Sequence, residues 1–227
     1  KQASTRIVKV MRDESGDRSF SGFEVTKSSS FADEMLDKLL LNTNIKNLKK
    51  QFLNTKYIVT GTNLLAFSQS ADALYFILNF AKSFRVKIII DVNWREIFWE
   101  HSNIDKDAKL KKVKKFLHHA DILKLANEEA YLFFNTSDPS EISKVLIKHP
   151  DVIITNGANP IKWYLNGIQG SNEIIKNTSK IIDTTGAGDA FLAGLISRYY
   201  FESDLDNHSK IKESIRFASV CGLLTCC

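Results

Sequence analysis

The segment Asp183-Thr184-Thr185-Gly186-Ala187-Gly188-Asp189 carries the sharpest chemical signal in the chain. Gly186, Ala187 and Gly188 are small residues that open an apolar run through Phe191, Leu192 and Leu195, which has helical spacing. The first backbone N–H groups of a helix have no intrahelical acceptor, and they sit at the positive end of the helix dipole, where an anion is stabilised. Small side chains let a phosphate come close to that backbone. Asp189, in the first turn beside the anion, is placed to accept the proton of an attacking hydroxyl while the N–H groups stabilise charge on a transferring phosphoryl group. A tight strand-to-helix turn with Asp189 as an ordinary first-turn acid explains the same residues, and on these residues alone both readings stay open. A dinucleotide fingerprint fits less well, because Phe191 stands where a third glycine belongs and no strand follows the helix; a Walker A loop is absent.

Such a cluster works only if a scaffold holds it. Residues 5–11 and 19–25 alternate around turn residues 13–17 with Gly16, which predicts a β-hairpin. Ser28, Ser29 and Ser30 then precede Phe31, Met35, Leu36, Leu39 and Leu40, the spacing of a serine-capped helix over 31–41. From Tyr57 onward strands (57–60, 86–91, 121–125, 152–155) alternate with helices (71–84, 107–118, 127–134, 140–148). Residues 161–165 read as an antiparallel extension turned at Asn166-Gly167, and helices over 187–200 and 209–225 close the chain. The pattern predicts an α/β fold, a mostly parallel sheet covered by helices on both faces, with residues 1–30 as a partial small β lid and 31–227 as the body. Ligands of such sheets bind beyond the carboxyl ends of the strands. The clusters there are Asp91-Val92-Asn93-Trp94-Arg95, Asn127-Glu128-Glu129, Thr155-Asn156-Gly157 and the Asp183 to Asp189 segment.

Composition narrows the classes. With 227 residues, 44% of them hydrophobic and 25% charged, the chain is an ordinary folded globule and not a disordered one. No apolar run approaches the roughly 20 residues of a membrane span. A net charge of +5 suits a small anionic ligand and does not call for nucleic acid. Lys109, Lys111, Lys112, Lys114 and Lys115 alternate with Leu110, Val113, Phe116 and Leu117, as on the solvated face of an amphipathic helix. The three cysteines, Cys221, Cys226 and Cys227, offer neither a disulfide framework nor a metal half-site, which points to a reducing cytoplasm.

Residues 183–194, from Asp183 through Gly194, resemble the carboxy-terminal signature of the ribokinase-like (PfkB) carbohydrate kinases at all its positions. Asp91-Val92-Asn93-Trp94-Arg95 followed by Trp99 resembles the D-x-N-x-R…W segment of fructokinase-like members, and Ala120-Asp121-Ile122-Leu123-Lys124 with Asn127-Glu128-Glu129 resembles their A-D-x-x-K…E-E segment. The resemblance implies an ATP-dependent sugar kinase, fructokinase-like, with Mg²⁺ and a monovalent cation. It implies that Asp189 is the base and that Gly186, Ala187 and Gly188 form the anion hole. Asp91, Asn93 and Arg95 would bind the sugar, Lys124, Thr155, Gly157 and Thr185 the nucleotide, and Glu129 would belong to the metal and phosphate network. Two positions depart from the family pattern: Pro160 replaces the second glycine after Thr155-x-Gly157, and Ala126 replaces the asparagine three residues before Glu129. The hairpin resembles part of the family's lid, which closes over the sugar; exposed lid strands often pair, which leaves a homodimer through the lid open. The absence of a glycine-rich sugar-binding segment before Lys1 implies an internal piece of a longer kinase, inactive by itself. A non-catalytic, kinase-like interaction protein is the alternative, against which stands the intact Asp189.

Overall fold

The computed structural model describes residues 3–12, 18–24, 31–100, 104–175, 181–200 and 208–227. Short β-branched runs make the main sheet: β3 (Tyr57–Thr60), β4 (Lys87–Asp91), β5 (Ile122–Ala126), β6 (Asp151–Asn156), β7 (Asn159–Leu165) and β8 (Ile168–Asn172). Preceding them in the chain, β1 (Val8–Arg12) and β2 (Arg18–Phe23) pair antiparallel as a separate sheet. The six strands lie in sequence order. β3 to β6 are parallel, whereas β7 and β8 are antiparallel additions at one edge, so the sheet is mixed. Pro160, which has no N–H to give, sits where the β6–β7 register slips, between Ile154 and Asn156.

The strands between the helices are apolar on both faces, as strands covered on both sides must be. Ile88, Ile90, Leu123, Leu125, Val152 and Ile154 face one layer, made by α3 (Ser68–Ser83), α4 (Lys106–Leu117), α5 (Asn127–Phe134) and α6 (Pro139–Val145). Ile89, Ile122, Ile153, Trp163 and Leu165 face the other, made by α7 (Ala187–Leu195) and α8 (His208–Thr225). α4 points Val113, Phe116 and Leu117 inward, and each is fully buried. Beyond Leu195 the helix widens into a π turn, Ile196–Tyr200.

The expected helix over 31–41 is broken. A 3-10 turn, Ala32–Met35, precedes extended Leu36, and Asp37 caps a new short helix, α1 (Lys38–Thr43), by accepting from the Leu39 N–H at 2.7 Å. The aspartate side chain competes for the backbone bonds a continuous helix needs. Leu39 and Leu40, expected on a buried face, are 73% and 64% exposed. α2 (Ile45–Phe52) follows directly. The serine cap at 28–30 and the hairpin turn at 13–17 lie outside the described residues.

α7 and α8 pack at glycine distance. A Cβ at Gly222 of α8 would lie 2.9 Å from the Ala187 carbonyl oxygen, and one at Gly194 of α7 would lie 2.9 Å from Cys221 Sγ. The end of α8 also holds the segment leading into α7, because the Cys226 carbonyl accepts from the N–H groups of Ile182 (2.7 Å) and Asp183 (3.3 Å). Gly222→Val therefore inserts a branched side chain against the backbone that opens α7. It should cost about 1–3 kcal/mol, the usual range for overpacking, read as a lower urea midpoint at unchanged slope. An unchanged midpoint would show that the two helices are not seated this closely.

Candidate active site

Strand alternation decides which side chains meet. Asp91 follows Ile89 and Lys124 follows Ile122 on the face toward α7, and the parallel β4–β5 register sets Asp91 directly beside Lys124. Lys124 Nζ lies 3.0 and 3.1 Å from the two Asp91 carboxylate oxygens. Both residues are buried. Burial raises the Asp91 pKa; the Lys124 charge and hydrogen bond pull it back, the Asp189 charge pushes it up again, and Arg95 lowers it. The balance is a raised pKa, and it brings four of the candidate residues into one electrostatic neighbourhood.

The start of α7 closes over this pair. Gly186 caps the helix in a left-handed conformation, φ 83°, which a residue with a Cβ adopts only with strain. A Cβ at Gly188 would stand 3.0 Å from Lys124 Nζ, so the absence of a side chain there leaves the crevice above the ammonium open. The expected trio of free amides is modified. The Ala187 N–H donates to the Thr184 carbonyl at 3.2 Å, and the Ala190 N–H to the Gly186 carbonyl at 2.9 Å. No such backbone bond engages the N–H groups of Gly188 and Asp189 among the described residues. The Asp189 side chain is exposed at this opening. The Thr185 N–H is drawn back to Asp183 Oδ1 at 2.8 Å, which tightens the turn, and the Thr185 side chain is exposed.

Glu129 fastens the neighbouring turn. Its Oε1 accepts from the Trp94 N–H at 2.7 Å and its Oε2 from the Ala126 N–H at 2.8 Å, so it staples the loop after β4 to the end of β5. Burial raises its pKa, and the two backbone hydrogen bonds oppose that rise. Asn93, in the same loop, has φ 42°, an uncommon conformation for a residue with a side chain. Arg95 Nη1 donates to the Trp94 carbonyl at 2.8 Å. Thr62, which the motifs did not suggest, is fully buried and donates to the Val92 carbonyl at 2.6 Å, fixing the strand end from the β3 side. Gly61 lets that approach happen: a Cβ there would touch the Asp91 carbonyl oxygen at 3.4 Å. The only hint in the sequence was a Gly-Thr pair directly after a strand.

Thr155 lies beside Ala126, one residue before the end of β6, and Gly157 lies exposed in the β6–β7 turn with φ 52°. No hydrogen bond or ion pair joins either residue to the Asp91–Lys124 cluster among the described residues. No group of three or more metal-ligating side chains is gathered there either among the described residues. The side chains of Asp91 and Glu129 are committed to Lys124 and to backbone N–H groups, which leaves Asp189 as the outward-facing carboxylate of this cluster.

An α/β sheet whose last helical layer presents free amides above a buried lysine, with a carboxylate in the first turn, defines a protein that can bind a phosphate and take a proton beside it. The family model described as pfkB family carbohydrate kinase matches residues 1–227, and the chain belongs to that family. A fructokinase of Vibrio alginolyticus is 28% identical over 225 residues, covering 97% of this chain and 66% of its own length. A probable fructokinase-7 of Arabidopsis thaliana is 30% identical over 156 residues, 65% of this chain. The chain matches only 38–43% of the length of three Arabidopsis relatives, less than half of each. The crystal structure of the Vibrio cholerae O395 fructokinase bound to fructose, ADP and calcium superposes with a TM-score of 0.77 at 26% identity, covering 100% of this chain and 68% of its own. A double mutant of that enzyme binds fructose, ADP and potassium.

Lys124→Met leaves the Asp91 carboxylate buried without its partner and should cost about 3–5 kcal/mol of unfolding free energy. Adding Asp91→Asn should restore most of the loss, because the orphaned charge is then gone. Urea unfolding of the two single variants and the double variant checks this; additive losses would mean the pair does not carry its charge balance.

Proposed function

We propose that the protein transfers the γ-phosphoryl group of ATP to a hydroxyl of a sugar, with fructose as the first candidate acceptor. The observation that carries this reading is the start of α7, where the N–H groups of Gly188 and Asp189 and the exposed Asp189 carboxylate share one opening above Lys124. The Vibrio cholerae relative, crystallised with fructose, ADP and calcium, supports the choice of acceptor and donor.

In this reading the acceptor hydroxyl gives its proton to Asp189 as its oxygen bonds to the γ-phosphorus. The bond from that phosphorus to the β,γ-bridging oxygen breaks, and ADP leaves. The amides of Gly188 and Asp189 and the Lys124 ammonium face the charge that spreads over the phosphoryl oxygens. Asn93 and Arg95, held at the end of β4 by Glu129 and Thr62, orient the sugar, with Asp91 fixing Lys124 from below. Thr155, Gly157 and Thr185 take the nucleotide side. The donors fit Mg²⁺ as a partner of the nucleotide phosphates: this ion keeps several waters and takes one or two carboxylates, and no all-protein cage is gathered among the described residues. When bound, the ion would neutralise phosphate charge, and Glu129 and Asp189 would belong to its network. A monovalent cation completes the set, a reading supported by the potassium ion bound in the Vibrio cholerae double mutant.

The β1–β2 hairpin within residues 1–30 acts as the lid over the body, 31–227, and its exposed Ile7, Val10 and Met11 favour pairing with the lid of a second copy. No helix among the described residues is long and apolar enough to cross a membrane. The three free cysteines suit a cytoplasmic site of action.

Asp189→Asn, made in the whole natural protein, should lower turnover roughly 100-fold to 10,000-fold while leaving the melting temperature in place. Fructose-dependent ADP release measures the first quantity and circular dichroism the second. Near-normal ADP release by the variant would sink the assignment of Asp189 as base.

A further inference from the structure

The guanidinium of Arg6, just ahead of β1, is enclosed by rings from four separate places in the chain. Its Cζ lies 4.4 Å from the ring centre of Phe23, 4.2 Å from Phe31, 5.1 Å from Phe67 and 5.1 Å from Phe98. The side chain is only 7% exposed, and it is neutralised by Asp33, 2.9 Å from Nε, and by Glu34, 2.5 Å from Nη2. A buried charge cluster is an expensive way to fill a junction, and an apolar residue of similar size often gives equal or greater stability. What a guanidinium adds is direction, because its planar fork fixes two carboxylates and its faces stack on rings.

The segments it joins matter. Phe23 belongs to β2 of the hairpin, Phe31, Asp33 and Glu34 to the strand-to-helix entry of the body, Phe67 to the residue capping α3, and Phe98 to the 3-10 turn Glu96–Trp99 that begins one residue after Arg95. Phe23 and Phe98 also meet edge to face at 5.2 Å. The hairpin and the six-stranded sheet are separate sheets, and the backbone tie between hairpin and body among the described residues is the Ala32 N–H to the Ser4 carbonyl at 2.9 Å. Asp33 has one carboxylate oxygen on Arg6 and the other buried without a hydrogen-bond partner, so Arg6 is its anchor. The main chain around Asp33 is pinned in turn to α3 by Ser70, whose hydroxyl donates to the Asp33 carbonyl at 2.6 Å.

We infer that Arg6 is a positioning residue: it fixes the lid hairpin against the turn that directly follows Asn93 and Arg95, and so sets the acceptor-sugar side of the site. The inference rests on the kinase reading for its effect on catalysis, and on geometry alone for the clamp. Removing the guanidinium frees the hairpin from the Phe98 turn without touching the start of α7 or the nucleotide side.

The test uses Arg6→Met and Arg6→Lys in the whole natural protein, with Lys111→Gln on the exposed face of α4 as a control. Hydrogen exchange read by mass spectrometry should show the hairpin exchanging at least about tenfold faster in Arg6→Met, with β4 and β5 as protected as before. With fructose and ATP, the sugar KM should rise about tenfold, the factor corresponding to one charge-assisted hydrogen bond, while the ATP KM and kcat hold within about twofold. Arg6→Lys keeps the charge and loses the fork, so it should fall between the two. Unchanged hairpin exchange would overturn the clamp. A joint shift of both KM values and of the melting temperature would overturn positioning in favour of a merely structural role. A natural protein that phosphorylates no sugar would defeat the kinase reading, and the exchange experiment would still decide the clamp by itself.

Discussion

A lysine and an aspartate placed side by side near the carboxyl ends of two parallel strands, with water removed, set the terms for everything built around them. Neither charge is tolerable there alone, so the Asp91–Lys124 pair helps to fix the β4–β5 register together with the isoleucines beneath it: a slip of either strand by one residue would turn its charge into the opposite apolar layer and leave the other buried without its partner. The pair also limits what can lie above it. A Cβ at Gly188 would crowd the ammonium beneath, and with no side chain there the backbone of α7 comes close enough for its free amides and the buried cation to look into one opening.

The second constraint is the seating of α7. A helix that presents its N-terminus to a ligand must be held from behind, and here α8 holds it through Gly222 and Gly194 and through the Cys226 carbonyl, which takes the N–H groups of Ile182 and Asp183. Glycine lowers intrinsic helix stability, so these positions exchange helix propensity for close approach. On the strand side the same job falls to Glu129 and Thr62, each of which satisfies backbone groups at the end of β4. Loop conformations such as that of Asn93 persist only where surrounding bonds over-determine them.

Between residues 57 and 165 the elements were legible because each strand is a short apolar run between polar punctuation and each helix carries a 3.6-residue stripe. Local signals of that kind survive without tertiary context. They failed at 31–41, where the apolar spacing was helical but Asp37 offered the backbone a competing hydrogen bond. The residues of the candidate site were legible as motifs, whereas their pairing was not: that Asp91 meets Lys124 depends on strand register, and that Ala187 spends its N–H on Thr184 depends on how tightly the turn closes. Least legible of all was the Arg6 enclosure, assembled from residues as far apart as 6 and 98 with no periodicity to announce it.

The order of the strands has a consequence for how the molecule is made. Among the described residues, every strand of the main sheet hydrogen-bonds to the strand before or after it in the chain, so none of these pairings waits for a distant segment to be synthesised. Pairings between sequence neighbours carry the smallest loop-closure cost, and a sheet of this kind can grow in the direction of translation. Its α3–α6 layer is supplied by the connections themselves, as each crossover is completed. The opposite layer is different: Ile89, Ile122 and Ile153 are covered by α7 and α8, which leave the ribosome after all six strands. Until then that face is apolar and bare except for the Asp91–Lys124 pair and for Asp151 and Thr155, which alternate with Ile153 on β6, and the charges among them weaken the tendency of a naked sheet face to stick to other chains.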